Sequence, residues 1–133
     1  MIGIGSASLA SQLAASVPLP VNPFTLGIAS GDVTTSGAVL WTRLAPDPDQ
    51  ANGAMPPVDV AVQWQVATDP DLSNIVQHGT AIAAPVTAHC VHVALEELQP
   101  GRHYWYQFAC AGHHSVIGRT KTLPEHPNTI RFA

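Results

Sequence analysis

From Asp59 to Thr68 the chain changes character at every step. Val60, Val62, Trp64 and Val66 have one parity, and Ala61, Gln63, Gln65 and Ala67 the other. This two-residue period predicts a strand with one face in a core and the other toward water. Shorter runs of the same kind recur along the chain, with turn-forming residues between them. Gly37–Arg43 is read with Val39 and Trp41 inward, Cys90–Leu95 with Val91, Val93 and Leu95 inward and Cys90 outward, and His103–Ala111 with Tyr104, Tyr106, Phe108 and Cys110 inward. Phe24–Ala29, Ile75–Ala83 (closed by Pro85) and Val116–Thr122 complete a set of about seven short strands. The four prolines of Ala45–Val58 make that stretch a long loop. No segment carries a sustained 3.6-residue period, so long helices are not expected, and Asp69-Pro70-Asp71-Leu72 offers at most one helical turn.

Short strands at regular spacing are the pattern of a β-sandwich. Leu98-Gln99-Pro100-Gly101 followed by Tyr104 adds the pattern of a tyrosine corner, in which a phenol packs in the core and its hydroxyl bonds upstream backbone. The expected fold is therefore all-β, an immunoglobulin-like or fibronectin type III-like sandwich, with a small β-barrel as the alternative.

Composition narrows the function classes. A chain of 133 residues suits one domain. Charged residues are 11%, with a net charge of −4 and five Lys+Arg. That excludes a charged disordered tail and leaves no basic footprint for nucleic acid. Met1–Gly31 holds no ionisable side chain. Residues 1–22 read as a signal-peptide remnant or disordered leader, with Ala14, Ala15 and Ser16 as small residues suited to cleavage, although the usual early positive charge is missing. Gly, Ser and Gln interrupt this segment, so it is not read as a membrane span. Residues 23–123 form the sandwich, and 124–133 read as a linker with the first residues of a further domain.

The polar residues offer little chemistry. His89 and His92 are expected on opposite faces of a strand, His113-His114 at a solvated hairpin tip, His78 and His103 apart, and His126 in the linker. Asp47, Asp49, Asp69 and Asp71 sit in proline-containing loops as turn formers, and Asp32 suits an Asx-type turn. Cys90 and Cys110 are read as one surface and one buried thiol, because opposite strand faces disfavour a disulfide. Trp105, Gln107, Arg119 and Lys121 fall on outward faces of the last strands, as a domain–domain contact or an ordinary sheet surface. No catalytic, cofactor-binding or metal-ligating residue is assigned to this chain.

Phe24-Thr25-Leu26-Gly27-Ile28-Ala29-Ser30-Gly31-Asp32 and Val39-Leu40-Trp41-Thr42-Arg43-Leu44 closely resemble the opening of the bacterial alkaline phosphatase D family, which reads F-x-L-G-V-A-S-G-D-P and then V-L-W-T-R-L. The resemblance continues through Met55-Pro56-Pro57, residues 62–69, residues 98–106 and Gly118-Arg119-Thr120-Lys121-Thr122. Val33 departs from the family's proline, and no Arg precedes Arg43 where the family carries a twin-arginine export signal. The resemblance implies an exported protein of the periplasm, cell envelope or exterior. It further implies that this sandwich precedes a metallophosphatase domain, its partner in the same polypeptide, which hydrolyses phosphate mono- and diesters with iron and calcium. Arg131-Phe132-Ala133 resembles the start of that domain, so its ligands, a cysteine among them, are expected beyond this chain. Neither Cys90 nor Cys110 matches that cysteine. A free-standing fibronectin-type adhesion or glycan-binding module remains the alternative, and a histidine-based metal-binding protein a weaker third.

Overall fold

The computed structural model describes residues 18–125. Eight strands follow in order: β1 (Ile28–Gly31), β2 (Ala38–Arg43), β3 (Val60–Ala67), β4 (Ile75–Ala83), β5 (Cys90–Leu95), β6 (His103–Cys110), β7 (His113–His114) and β8 (Gly118–Lys121). They form two antiparallel sheets: β1-β2-β5, and β4-β3-β6 with β7 and β8 both on the far edge of β6. β7 pairs with Ala109 and Cys110, and β8 with His103–Tyr106, so together they are one seventh strand broken in the middle. Ser115 makes the break. Its N–H donates to the Phe108 carbonyl at 2.9 Å, while its buried hydroxyl accepts the Phe108 N–H at 3.0 Å in place of a backbone carbonyl. No described helix is long and apolar enough to cross a membrane.

The core lies between the sheets and is built from the inward parities of the strands. Val60, Val62 and Val66 of β3 meet Tyr104, Tyr106, Phe108 and Cys110 of β6 and Val91, Val93 and Leu95 of β5. Burying each large aliphatic or aromatic side chain here contributes about 1.5–3 kcal/mol relative to leaving it in water. Phe24 stacks on Phe108 with ring centroids 6.5 Å apart, and Tyr106 meets Phe108 edge-on at 6.3 Å.

Two local expectations are corrected and a third is delimited. In β2 the inward side chains are Ala38, Leu40 and Thr42, and Val39 and Trp41 face outward. Both parities of this strand are apolar, and the polar member of the buried set is satisfied, because the Thr42 hydroxyl donates to the Gly27 carbonyl at 3.0 Å. Register completes the assignment, since Leu40 lies opposite Val93 and Thr42 opposite Val91. The first strand begins at Ile28 rather than Phe24: the Asn22 side chain accepts the Phe24 N–H at 2.9 Å and Gly27 turns with φ 81°, so residues 24–27 curl instead of extending. Asp69–Leu72 makes a single hydrogen-bonded turn, the Leu72 N–H donating to the Asp69 carbonyl at 3.2 Å, and goes no further. The Asp69 carboxylate accepts the N–H groups of Ser73 and Asn74, and Leu72 has φ 58°, a left-handed conformation that stops a helix. A short 3-10 turn occupies Pro85–Thr87.

Residues 18–22, which the sequence assigns to the leader, lie against the sandwich. Leu19 joins the core cluster, the His113 Nε2–H donates to its carbonyl at 2.9 Å, and the Asn22 amide donates to the His114 carbonyl at 3.1 Å. The His113-His114 tip is therefore paired as β7 and grips this strap, rather than being a purely solvated turn.

Candidate functional site

Because successive strand residues alternate faces, the register of each sheet also defines its outward surface. On the larger sheet, Gln63, Gln65, Gln107, Ala109 and His114 surround a dimple of about 50 Å³. Trp105 lies opposite Arg119 and His103 opposite Lys121, with the His103 and Trp105 rings 6.2 Å apart. Gln107 is half-buried and donates to the Ser115 carbonyl at 2.9 Å. The four residues singled out in the last strands thus share one face, and that face is polar and cationic at its β8 edge.

The outward surface of β1-β2-β5 is different. Its cross-strand rows are Ala29–Trp41–His92, Gly31–Val39–Ala94 and Arg43–Cys90. Val39 is flanked by Gly31 and Ala94, and Trp41 by Ala29 on one side and the exposed His92 on the other, so these two side chains form a low ridge down the middle of the sheet. Arg43 is tied back to its own loops, donating through Nε to the Ala88 carbonyl at 3.0 Å. These rows contain neither a carboxylate nor a lysine.

At one end the ridge runs into a shallow concavity of about 480 Å³ lined by Asp32, Thr34, Ser36, Glu96 and Glu97, with Gly37 and Leu95 at its floor. Two chain reversals build it. Asp32 turns with φ 48° and Glu97 with φ 63°, and the Leu98 N–H donates to the Ser36 carbonyl at 2.9 Å. The side-chain turn expected of Asp32 is made by Thr34, whose hydroxyl accepts the Ser36 N–H at 3.3 Å, and the Asp32 residue is exposed. The three carboxylates come from segments more than sixty residues apart and meet only through the pairing of β2 with β5. The same end of the sandwich carries the C-terminal exit, where the Leu123 N–H donates to the Thr34 carbonyl at 2.9 Å.

The remaining polar candidates are accounted for locally. His89 is 4% exposed and its Nε2–H donates to the Val58 carbonyl at 2.9 Å, while His92 is on the outward face of β5. His78 and His103 share the outward face of the larger sheet with β3 between their strands. His126 lies outside the described residues. The Asp47 carboxylate caps its own turn by accepting the Asp49 N–H at 3.1 Å. The Ser73 hydroxyl and then the Asn74 N–H hold the Asp69 carboxyl below its ordinary pKa. Both cysteines are free; Cys90 is half-buried, and burial pushes the Cys110 thiol up to about 11. Burial likewise raises Tyr106, against an opposing hydrogen bond with Ser30. Among the described residues no three His, Cys, Asp or Glu side chains come together to hold a metal ion. They do not fit the iron and calcium that the family resemblance implies, and no catalytic step is derived from them. What the arrangement offers is a contact surface.

The amino-acid pattern conceals this surface for two reasons. It points Trp41 and Val39 toward the core, and it gives Glu96 and Glu97 no role, because nothing local links them to Asp32. The one available signal is the parity of Leu40 and Thr42, with Leu44 continuing it.

A family model described as PhoD-like phosphatase, N-terminal domain, matches residues 9–124. Alkaline phosphatase D of Bacillus subtilis (strain 168) is 50% identical over 102 residues, which is 77% of this chain and 17% of that protein. A solved structure of PhoD superposes with a TM-score of 0.79 at 47% identity, covering 82% of this chain and 21% of that one. A fibronectin type III domain derived from the human KIAA0970 protein superposes with a TM-score of 0.51 at 12% identity, covering 94% of this chain and 85% of that domain, a likeness of fold alone. The fold is thus the expected fibronectin type III-like sandwich. The chain spans about a fifth of the length of the two phosphatase relatives.

Proposed function

Because this chain belongs to the family of N-terminal domains of PhoD-like phosphatases, we propose that it serves as a non-catalytic domain that packs against a metal-dependent catalytic domain in the same polypeptide. On this reading, hydrolysis of phosphate mono- and diesters, and the iron and calcium that serve it, belong to the other domain. The parent is an exported enzyme of the periplasm, envelope or exterior, and the uncharged leader with its Ala14-Ala15-Ser16 segment supports export.

One observation carries the reading. The motif by which the chain resembles the family, Val39-Leu40-Trp41-Thr42-Arg43, alternates between core and exterior, and the core accounts for Leu40 and Thr42 only. The core does not account for the half-buried indole of Trp41 on the outward sheet face, and large aromatics are the residues that anchor interfaces.

The test is enzymatic. The purified chain, supplied with iron and calcium, is expected to leave p-nitrophenyl phosphate and its diester intact. Chelator-sensitive turnover by the chain itself would overturn the proposal. In a polypeptide that joins the chain to a phosphatase domain, deleting residues 18–125 is expected to lower the melting temperature of the phosphatase activity.

A further inference from the structure

From the exit point of the chain and the contrast between its two sheet faces, we infer where the second domain docks and what it presents. It covers the outward face of β1-β2-β5 together with the adjoining concavity, seating Trp41 in an apolar hollow and offering Arg or Lys side chains to Asp32, Glu96 and Glu97. This rests on the reading of the chain as a docked domain.

The chain's exit is the first argument. Leu123 is held on both sides, its N–H by the Thr34 carbonyl and its carbonyl by the Gly101 N–H, each at 2.9 Å. Thr34 also lines the concavity. The last described residues, 123–125, therefore start near the rim of the hollow, at the end of the sandwich where a domain joined by a short connection would sit. Leu123, 46% exposed, extends the apolar surface to the exit itself.

Polarity is the second argument. An antiparallel sheet with one face in water carries polar residues there. The larger sheet does so over its centre and along β8 with Gln63, Gln65, Gln107, Arg119 and Lys121, beside Trp105 and the exposed Val76 and Ile82, whereas the rows of the smaller sheet hold Ala29, Gly31, Val39, Trp41 and Ala94, with His92 and the tied-back Arg43 as their polar members. An outward aromatic with small neighbours at Ala29 and along the Val39 row has the shape of an interface anchor, because a partner can close around it on that side. The three carboxylates stand at one edge of this patch, where a polar rim belongs. All three are exposed residues, so basic side chains of the partner reach them without desolvating a buried charge.

The three tryptophans supply the experiment. Trp41 faces out from the smaller sheet, Trp105 faces out from the larger one, and Trp64 packs against the core. Hydroxyl-radical footprinting read by mass spectrometry is run on the chain alone and on a polypeptide joining it to a phosphatase domain. Thermal unfolding of the joined polypeptide is followed in parallel. The inference expects Trp41 oxidation to fall by about fivefold or more on joining, as for an anchor desolvated at the centre of an interface, with Trp105 unchanged. If Trp41 keeps its reactivity while both domains unfold in one transition, the docking face is wrong and the packed-domain reading stands. If Trp41 keeps its reactivity and the domains unfold independently, both fail. Glu96→Lys with Glu97→Lys, changes at exposed positions, is expected to restore Trp41 oxidation in the joined polypeptide without altering the melting temperature of the chain alone. Unchanged Trp41 protection in that variant would overturn the basic-partner half of the inference.

Discussion

The Tyr104 hydroxyl accepts the backbone N–H of Gln99 at 2.8 Å while its ring lies 2% exposed in the core. The same turn is held from the other side by Thr122, whose hydroxyl donates to the Gln99 carbonyl at 2.6 Å and accepts the Arg102 N–H at 3.0 Å. One phenol and one hydroxyl thus fix the corner that delivers the chain from the end of β5 into β6, and they fix the exit segment beside it.

Removing the phenol oxygen isolates this bond. Tyr104→Phe keeps the ring and strands the Gln99 N–H, so a loss of about 1–3 kcal/mol is expected. Urea unfolding at neutral pH measures it. A variant as stable as the parent would show that water satisfies the Gln99 N–H equally well.

Gly37 and Gly31 provide a paired test of close packing. A Cβ on Gly37 would run into the Leu95 carbonyl, backbone against backbone, whereas one on Gly31 meets nothing within 4 Å. Gly37→Ala is expected to cost about 1–3 kcal/mol because no rotamer relieves the contact. Gly31→Ala should stay within about 0.5 kcal/mol in the chain alone, as an ordinary surface substitution does. Chemical denaturation of the two variants side by side reads the difference.

The cysteines should separate by reactivity. At pH 8 Ellman's reagent is expected to titrate Cys90 rapidly in the folded chain and Cys110 only after unfolding, since burial both hides the Cys110 thiol and raises it to about 11. The same shift sets a pH dependence. Burial disfavours the Cys110 thiolate, so in the unfolded chain this group loses its proton near 9, before the folded chain does. Its contribution to stability is complete below about 9 and is lost as pH rises toward 11. Tyr106, also raised by burial, acts with the same sign. Replacing Cys110 with Ala should flatten the alkaline limb of the melting curve, and an unchanged limb would remove Cys110 from its cause.

Much of the fold is legible in the order of residues alone. Ile75–Ala83, Cys90–Leu95 and the inward set Tyr104, Tyr106, Phe108 and Cys110 emerge where the two-residue period places them, because in each of these strands the bulkiest side chains favour one parity or the turn residues bound the run sharply. The tyrosine corner is legible because its Leu, Pro-Gly and Tyr lie within seven residues. The contact surface is not. Trp41 and Leu40 are both apolar neighbours on one strand, and period alone assigns no direction when both parities are hydrophobic.

What the sequence determined by itself was the number and spacing of strands, the sandwich they form and the family to which the chain belongs. Those follow from local alternation, turn residues and a contiguous motif, all of which act over a few positions. The tertiary structure decided which way β2 faces, because only the opposing sheet and the Gly27 carbonyl make Thr42 acceptable inside. It also split the seventh strand at Ser115 and brought Asp32, Glu96, Glu97 and Leu123 to one end of the molecule. Those outcomes depend on partners far away in sequence, where side-chain satisfaction and strand register, rather than periodicity, set the lower free energy.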